Sequence, residues 1–322
     1  MNTQEFFAEQ PDRLDIFLAS KLQQTRSQIV QLIKNGGVSL EDQVITKPGV
    51  KLKAGQRILV TPPQPKETQP QEIDFDIEIL FEDDDLLVIN KPSGIITHPA
   101  PSVSEPTLVD WLKHKGIRLS TLSGEERHGI VHRLDKGTSG VMVVAKNNQT
   151  HEALSLQLQD KSMGRYYLAV SIPPLKNDIT VVEKPIRRSQ HNRLKMGCDP
   201  SGKYAKTEFK KTALSTDEKY DLLTCKLFTG RTHQIRVHLE TLSRHILGDP
   251  LYGNKNDKNE PQRILLHAYM LYFVHPKTKQ REYFTASLDE TFNSFLKQNF
   301  NMEEIYEKIQ RNTIELGFSS TV

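Results

Sequence analysis

Residues 61–72 read Thr-Pro-Pro-Gln-Pro-Lys-Glu-Thr-Gln-Pro-Gln-Glu, and this segment constrains the chain most. Its four prolines lack backbone donors, and it offers no large apolar residue to bury. Such a stretch is a stiff, extended connector and not a core element. The 322 residues therefore divide into a small N-terminal module at 11–60, a linker at 61–72 and a large module at 73–322. Charge divides with them. Residues 11–60 carry eight basic side chains against Asp12, Asp15, Glu41 and Asp42, a net +4. The whole chain carries only +3, which leaves the remainder close to neutral. Basic character is concentrated at one end.

Several classes are excluded early. No run approaches ~18 consecutive apolar residues, so no transmembrane helix is expected. The N-terminus lacks the basic start and apolar stretch of a secretory signal, which makes the cytoplasm the expected compartment. Cys198 and Cys225 are too few for a disulfide framework or a cysteine zinc site. His128 and His132 are four apart, like ligands on a zinc-binding helix. The intervening Gly-Ile-Val favours extended chain and supplies no glutamate, so no metal is expected. Neither a P-loop nor a dinucleotide fingerprint occurs.

In the small module Leu14, Phe17, Leu18 and Leu22 recur at helical spacing. Thr25 and Gln28 form a capping-box pattern before Ile29, Leu32 and Ile33, and Gly36-Gly37 stops that second helix. Short strands follow at 38–40 and 57–60. With Arg13-Leu14-Asp15-Ile16-Phe17-Leu18, Ser27-Gln28-Ile29, Gly37-Val38 and Lys51-Leu52-Lys53-Ala54-Gly55, this small α/β module resembles an S4 RNA-binding domain. Leu40-Glu41-Asp42-Gln43 departs from the Val-Asn-Gly turn usual there. The resemblance points to Arg13, Arg26, Lys34, Lys51 and Lys53 as RNA contacts.

In the large module, strands are expected at 73–80, 86–90, 141–145, 166–170, 222–227 and 270–274, with helices at 108–115, 151–159, 234–242 and 290–312. Strands outnumber helices without alternating regularly, so an α+β domain with a mixed, largely antiparallel sheet is expected. Between two of those strands lies His128-Gly-Ile-Val-His132-Arg133-Leu134-Asp135-Lys136-Gly137-Thr138-Ser139-Gly140. An aspartate between an apolar strand end and a Gly/Thr/Ser turn is held rigidly. That position suits a nucleophile and a turn-capping residue equally.

The full string resembles the signature of the RluA/RluD-type pseudouridine synthases, enzymes that isomerise uridine in large-subunit ribosomal RNA. Other segments match in the same order: Asp84 to Gly94 with His98-Pro99, Arg165-Tyr166-Tyr167, Thr229 to His238, Gly248-Asp249-Pro250-Leu251-Tyr252-Gly253, and Leu266-His267-Ala268 running to His275-Pro276. Gly-Ile-Val before His132 and the His98-Pro99 pair lean toward the RluD-like branch. Gly137 stands where many members carry aspartate.

The resemblance implies a pseudouridine-synthase catalytic domain with three catalytic residues. Asp135 is the nucleophile, Arg236 pairs with it, and Tyr167 packs against a flipped-out base. Burial raises a carboxyl pKa and a nearby cation opposes that rise, which gives the arginine its purpose. Arg133, Lys91 and Arg231 are further RNA-binding candidates. Glycoside hydrolases use two carboxylates. The matched motifs supply one, so isomerisation is expected and not hydrolysis. Attack at C1′, addition at C6 and elimination through a glycal all fit these residues. So do a proton-transferring and a merely packing Tyr167. No cofactor is expected, since carboxylate, phenol and guanidinium are in the chain. The expected partner is ribosomal RNA or an assembling large subunit, met by a monomer. The alternative is a non-catalytic S4-type RNA-binding or ribosome-assembly factor that keeps the fold.

Overall fold

A computed structural model describes residues 3–22, 24, 26–61, 72–100, 103–253 and 261–318. It divides into two compact units, 1–71 and 72–322. The proline-rich stretch at 62–71 and Thr25 of the expected capping box lie outside the described residues.

In the first unit, β1 (Gln4–Phe7), α1 (Leu14–Leu22), α2 (Arg26–Lys34), β2 (Val38–Leu40), β3 (Gln43–Val44) and β4 (Arg57–Val60) follow in order. The antiparallel sheet runs β1-β4-β2-β3. β1 lies before residue 11, so the expected boundary omits one edge of this sheet. The apolar stripes of both helices, Leu14, Leu18, Ile29 and Ile33, are fully buried with Ile58 of β4. Gly36 ends α2 at φ 77°, a left-handed cap that glycine adopts without a Cβ clash. The β2–β3 turn puts both Glu41 and Asp42 at positive φ. That is the geometry of a two-residue hairpin that Asn-Gly favours, and it explains why the usual sequence differs.

In the second unit the strands are β5 (Glu78–Glu82), β6 (Leu86–Lys91), β7 (Ser139–Ala145), β8 (Gly164–Ile172), β9 (Ile179–Glu183), β10 (Ile186–Arg188), β11 (Met196–Cys198), β12 (Lys206–Leu214), β13 (Asp221–Leu227), β14 (His245–Ile246), β15 (Leu266–Val274) and β16 (Arg281–Thr285). The helices are α3 (Leu108–His114), α4 (Asn148–Gln159), α5 (Gln234–Glu240), α6 (Glu290–Asn299), α7 (Met302–Lys308) and α8 (Arg311–Gly317). Among the described residues one ten-stranded sheet runs β5-β6-β7-β15-β8-β13-β12-β9, with β14 beside β8 and β16 beside β15. Only β7–β15 is parallel within it. The fold is α+β with a mixed, largely antiparallel sheet. β10 and β11 form a separate hairpin. The expected strand at 73–80 starts only at Glu78.

Alternation sorts β8 onto two faces. Tyr167 and Ala169 face a core with Trp111, Val143 and Leu223. Tyr166, Leu168 and Val170 face a second core closed by Phe292, Leu296 and Phe318. The single parallel contact depends on a glycine. A Cβ at Gly140 would lie 2.2 Å from the Ala268 carbonyl oxygen, and its φ is 118°. Backbone cannot yield to that overlap. Gly140→Ala is therefore expected to cost about 3 kcal/mol or more, read as a lowered denaturation midpoint.

Candidate active site

Asp135 sits in the loop that enters β7, and the loop is gripped by backbone bonds. The Thr97 hydroxyl donates to the Leu134 carbonyl at 2.7 Å, the Gly94 N–H to Lys136 O at 2.8 Å and the Ser93 hydroxyl to Gly137 O at 2.8 Å. The Thr138 N–H closes the turn onto Asp135 O at 3.0 Å. Beneath it, the Val143 N–H donates to buried His132 Nε2 at 3.2 Å, and burial pushes this imidazole down to about 3. His132 is thus a neutral structural acceptor. The Asp135 carboxylate stays free to point outward, its side chain 22% exposed. Gly137 allows this packing too, since a Cβ there would meet Ile264 at 2.9 Å.

Helix α5 delivers Arg236. Gln234 anchors the helix start: its Oε1 accepts from the Thr229 hydroxyl and the Arg231 N–H, and its Nε2 donates to Lys206 O and Thr207 Oγ1. His233, the N-cap, is held at φ 57°. A non-glycine residue in that region is sparsely populated and marks a functionally constrained turn. Arg236 donates through Nη1 to Asp135 Oδ2 at 3.3 Å. Its stronger partner is Asp249, contacted through Nε at 2.7 Å and Nη2 at 2.8 Å. Asp249 Oδ1 also accepts the N–H groups of Leu251 and Tyr252. Burial opposes ionisation of Asp249, yet Arg236 and those N–H groups hold its carboxyl below the usual range. Burial likewise works against the Arg236 charge, and Asp249 more than restores it. The Tyr252 ring stacks 4.8 Å from the guanidinium, while its hydroxyl lies 3.0 Å from His233 Nδ1. His233 Nε2 is 3.8 Å from Asp135 Oδ2, and burial keeps this imidazole on the neutral side.

Asp135, Tyr167, Arg236 and His233 line one cleft of about 600 Å³, with Arg133, Arg165 and Arg231 among its other walls. Tyr167 projects from β8, and burial above all raises the pKa of its phenol. The three expected catalytic side chains, scattered over a hundred residues of sequence, therefore meet. A carboxylate held by an arginine, beside a buried aromatic ring, can serve covalent chemistry on a base taken out of its stack.

Comparison with known proteins identifies the family. The family model for RNA pseudouridylate synthase matches residues 85–241, and that for the S4 domain matches 12–58. A Helicobacter pylori (strain J99) protein called an uncharacterized RNA pseudouridine synthase is 48% identical over 95% of both chains. The chain belongs to the RNA pseudouridine synthase family. A Zymomonas mobilis relative of this synthase, the ribosomal large subunit pseudouridine synthase D, is 37% identical over 88% of this chain and 93% of its own. The fold is shared with the human RNA pseudouridylate synthase domain containing 1 protein, at a TM-score of 0.55 and 23% identity over 68% of this chain and 86% of that one.

The other expected contacts of the synthase divide. Arg133 is exposed at the cleft rim, with Nη1 3.3 Å from His98 Nε2. Arg231 lines the cleft but donates its Nε–H to Tyr204 O at 2.8 Å. In the S4 unit, Arg13 and Arg26 both grip Asp15, whose side chain is 1% exposed, so their guanidinium groups are pre-oriented. Lys34, Lys51 and Lys53 are exposed. Lys91 is a correction. It is fully buried, with Nζ donating to Pro92 O and Ile95 O at 2.8 Å, and so it is no RNA contact. It braces the turn at residues 92–95, whose Ser93 and Gly94 grip the Asp135 loop.

Burial brings the Lys91 amine down to about 7, with the Asp135 charge opposing that fall. A neutral amine retains two N–H groups, the number needed for two carbonyls. One lysine Nζ in an NMR titration is therefore expected to turn over near pH 7, absent in Lys91→Met. All lysines titrating above pH 9 would refute it.

Sequence reading missed Asp249 and Tyr252. Both stand in the quoted segment Gly248 to Gly253, but no local pattern says which arginine they face. His238 and His267 bond backbone carbonyls, of Lys184 and Ala286 respectively. Among the described residues no cluster suits a metal ion, and no helix is long and apolar enough to cross a membrane.

Proposed function

We propose that this synthase converts specific uridines of large-subunit ribosomal RNA into pseudouridine in the cytoplasm, with Asp135 as nucleophile. The observation that carries the reading is the convergence of Asp135, Arg236 and Tyr167 on one cleft. The target nucleotide leaves its stack and enters that cleft. Tyr167 packs against the base, Arg236 fixes the carboxylate, and Arg133 at the rim holds a flanking phosphate. The S4 unit adds affinity through its basic residues, which makes binding salt-sensitive. Support for ribosomal RNA comes from the relative named for the large ribosomal subunit, 37% identical along most of both chains.

Pseudouridine mapping of total RNA, in cells with and without the gene, tests the substrate. Large-subunit ribosomal sites should lose the modification in the deletion strain and regain it with the wild-type gene but not with Asp135→Asn. Unchanged ribosomal maps, with losses confined to transfer RNA, would overturn the assignment.

A further inference from the structure

One arginine of the cleft has a buried side-chain nitrogen without a partner. Arg165 projects from β8 and lines the same cleft as Tyr167, two residues further along. Its Nε is buried without a hydrogen-bond partner. Among the described residues no carboxylate pairs with its guanidinium. The cleft's other arginines differ: Arg236 holds Asp249 and Asp135, Arg231 bonds the Tyr204 carbonyl, and Arg133 is exposed at the rim. Gly230 makes room for it, since a Cβ there would meet Arg165 Nη1 at 2.7 Å. Arg165 is half-buried, and desolvating its charge without a counter-ion costs free energy. Such an arrangement persists where a partner of opposite charge arrives during function.

We infer that Arg165 donates hydrogen bonds to a carbonyl oxygen of the target uracil and takes up the negative charge the base acquires when its glycosidic bond opens. This rests on the reading that the base packs against Tyr167. Residues i and i+2 of a strand are roughly 7 Å apart on one face, within reach of an arginine side chain beside a stacked base. When N1–C1′ breaks, its electron pair passes into the uracil ring and spreads over N1, O2 and O4. C5 then bonds to C1′, the C5 hydrogen leaves as a proton, and N1 gains one, so the exchange is redox-neutral. Turning the ring about its N3–C6 axis swaps N1 with C5 and O2 with O4. A fixed donor at one carbonyl position is therefore satisfied in substrate, freed base and product alike. Tyr167 offers a flat face that tolerates the same turn. Phosphates, by contrast, meet exposed Arg133 at the rim.

The test compares Arg165→Met and Arg165→Lys with wild type in single-turnover reactions on a ribosomal RNA fragment. Arg165→Met should lower the rate about 10²-fold, the usual loss for a donor facing developing charge. RNA affinity and its salt slope should stay within twofold. Its melting temperature should equal or exceed wild type, because an uncompensated charge has gone. Arg165→Lys should recover part of the rate. The Arg165→Met deficit should shrink at least fivefold on 5-fluorouridine RNA, whose base carries negative charge more readily. C5 there bears fluorine and releases no proton, so the rate is read as loss of the N1–C1′ bond. A lowered melting temperature, with equal deficits on both substrates, would make Arg165 a structural residue and overturn the inference. So would weakened binding with a shallower salt slope and an intact rate, the mark of a phosphate contact. Full activity of Asp135→Asn would instead sink the nucleophile assignment, and the fluorouridine comparison would still be readable.

Discussion

Asp135→Asn is expected to lower pseudouridine formation by at least about 10⁴-fold, the scale of losing a nucleophile, while RNA affinity changes less than about threefold. The replacement keeps the shape of the turn, because the turn is closed through the Asp135 backbone carbonyl and not its side chain. What disappears is the anionic oxygen facing Arg236 at 3.3 Å. An amide is a poor nucleophile and offers one neutral acceptor where the guanidinium had a charge. Little stability should be lost, since Arg236 retains both bonds to Asp249. Release of tritium from RNA carrying [5-³H]uridine reports the reaction directly, because the C5 hydrogen departs as a proton. Filter binding reports affinity. Residual turnover above one per cent would remove Asp135 from the nucleophile's role. Equal loss of binding and rate, with a fall in melting temperature, would make it a structural residue.

The order of motifs along the chain revealed the family, and most of the sheet could be read with it. The apolar runs of β6, β7, β8, β13 and β15 mark strands buried on both faces. β12 escaped notice because Lys206, Lys210 and Lys211 interrupt its pattern. Yet Phe209 is fully buried, and the lysines lie along partly open faces. β1 escaped for a different reason: four residues carry too short a pattern to reveal a partner fifty residues away. Within the site, alternation along β8 explains why Tyr167 and not Tyr166 faces the cleft, although local sequence hardly distinguishes them. Nothing local in Lys91-Pro92-Ser93-Gly94 tells a buried lysine from an RNA contact. Only the three-dimensional turn shows two carbonyls enclosing its amine. Asp249 was missed because its partner is a helix away, and a Gly-Asp-Pro turn accounts for an aspartate without one.

That overlooked residue carries the second large effect. Asp249→Ala is expected to destabilise the synthase by about 3–5 kcal/mol, the scale of breaking a buried ion pair from one side. Arg236 would lose its two shortest bonds, and the N–H groups of Leu251 and Tyr252 would lose their acceptor. The guanidinium would then keep Asp135 as its one carboxylate partner beside the Tyr252 ring and lose its fixed orientation. A rate loss of about 10²-fold should accompany the lowered melting temperature, the usual scale for a misplaced catalytic group. Asp249→Asn separates the two effects, since its carbonyl oxygen still serves the two backbone donors while its neutral amide cannot hold the arginine. It should recover part of the stability and little of the rate. Acidity supplies the sign. The folded protein holds the Asp249 carboxyl below its ordinary range, so its stabilisation is present above about pH 4 and fades as pH falls through the lowered value. Melting temperatures of wild type and Asp249→Asn should therefore converge in acid. A gap that stays constant from pH 7 to pH 2.5 would mean that the loss lies in packing and not in charge.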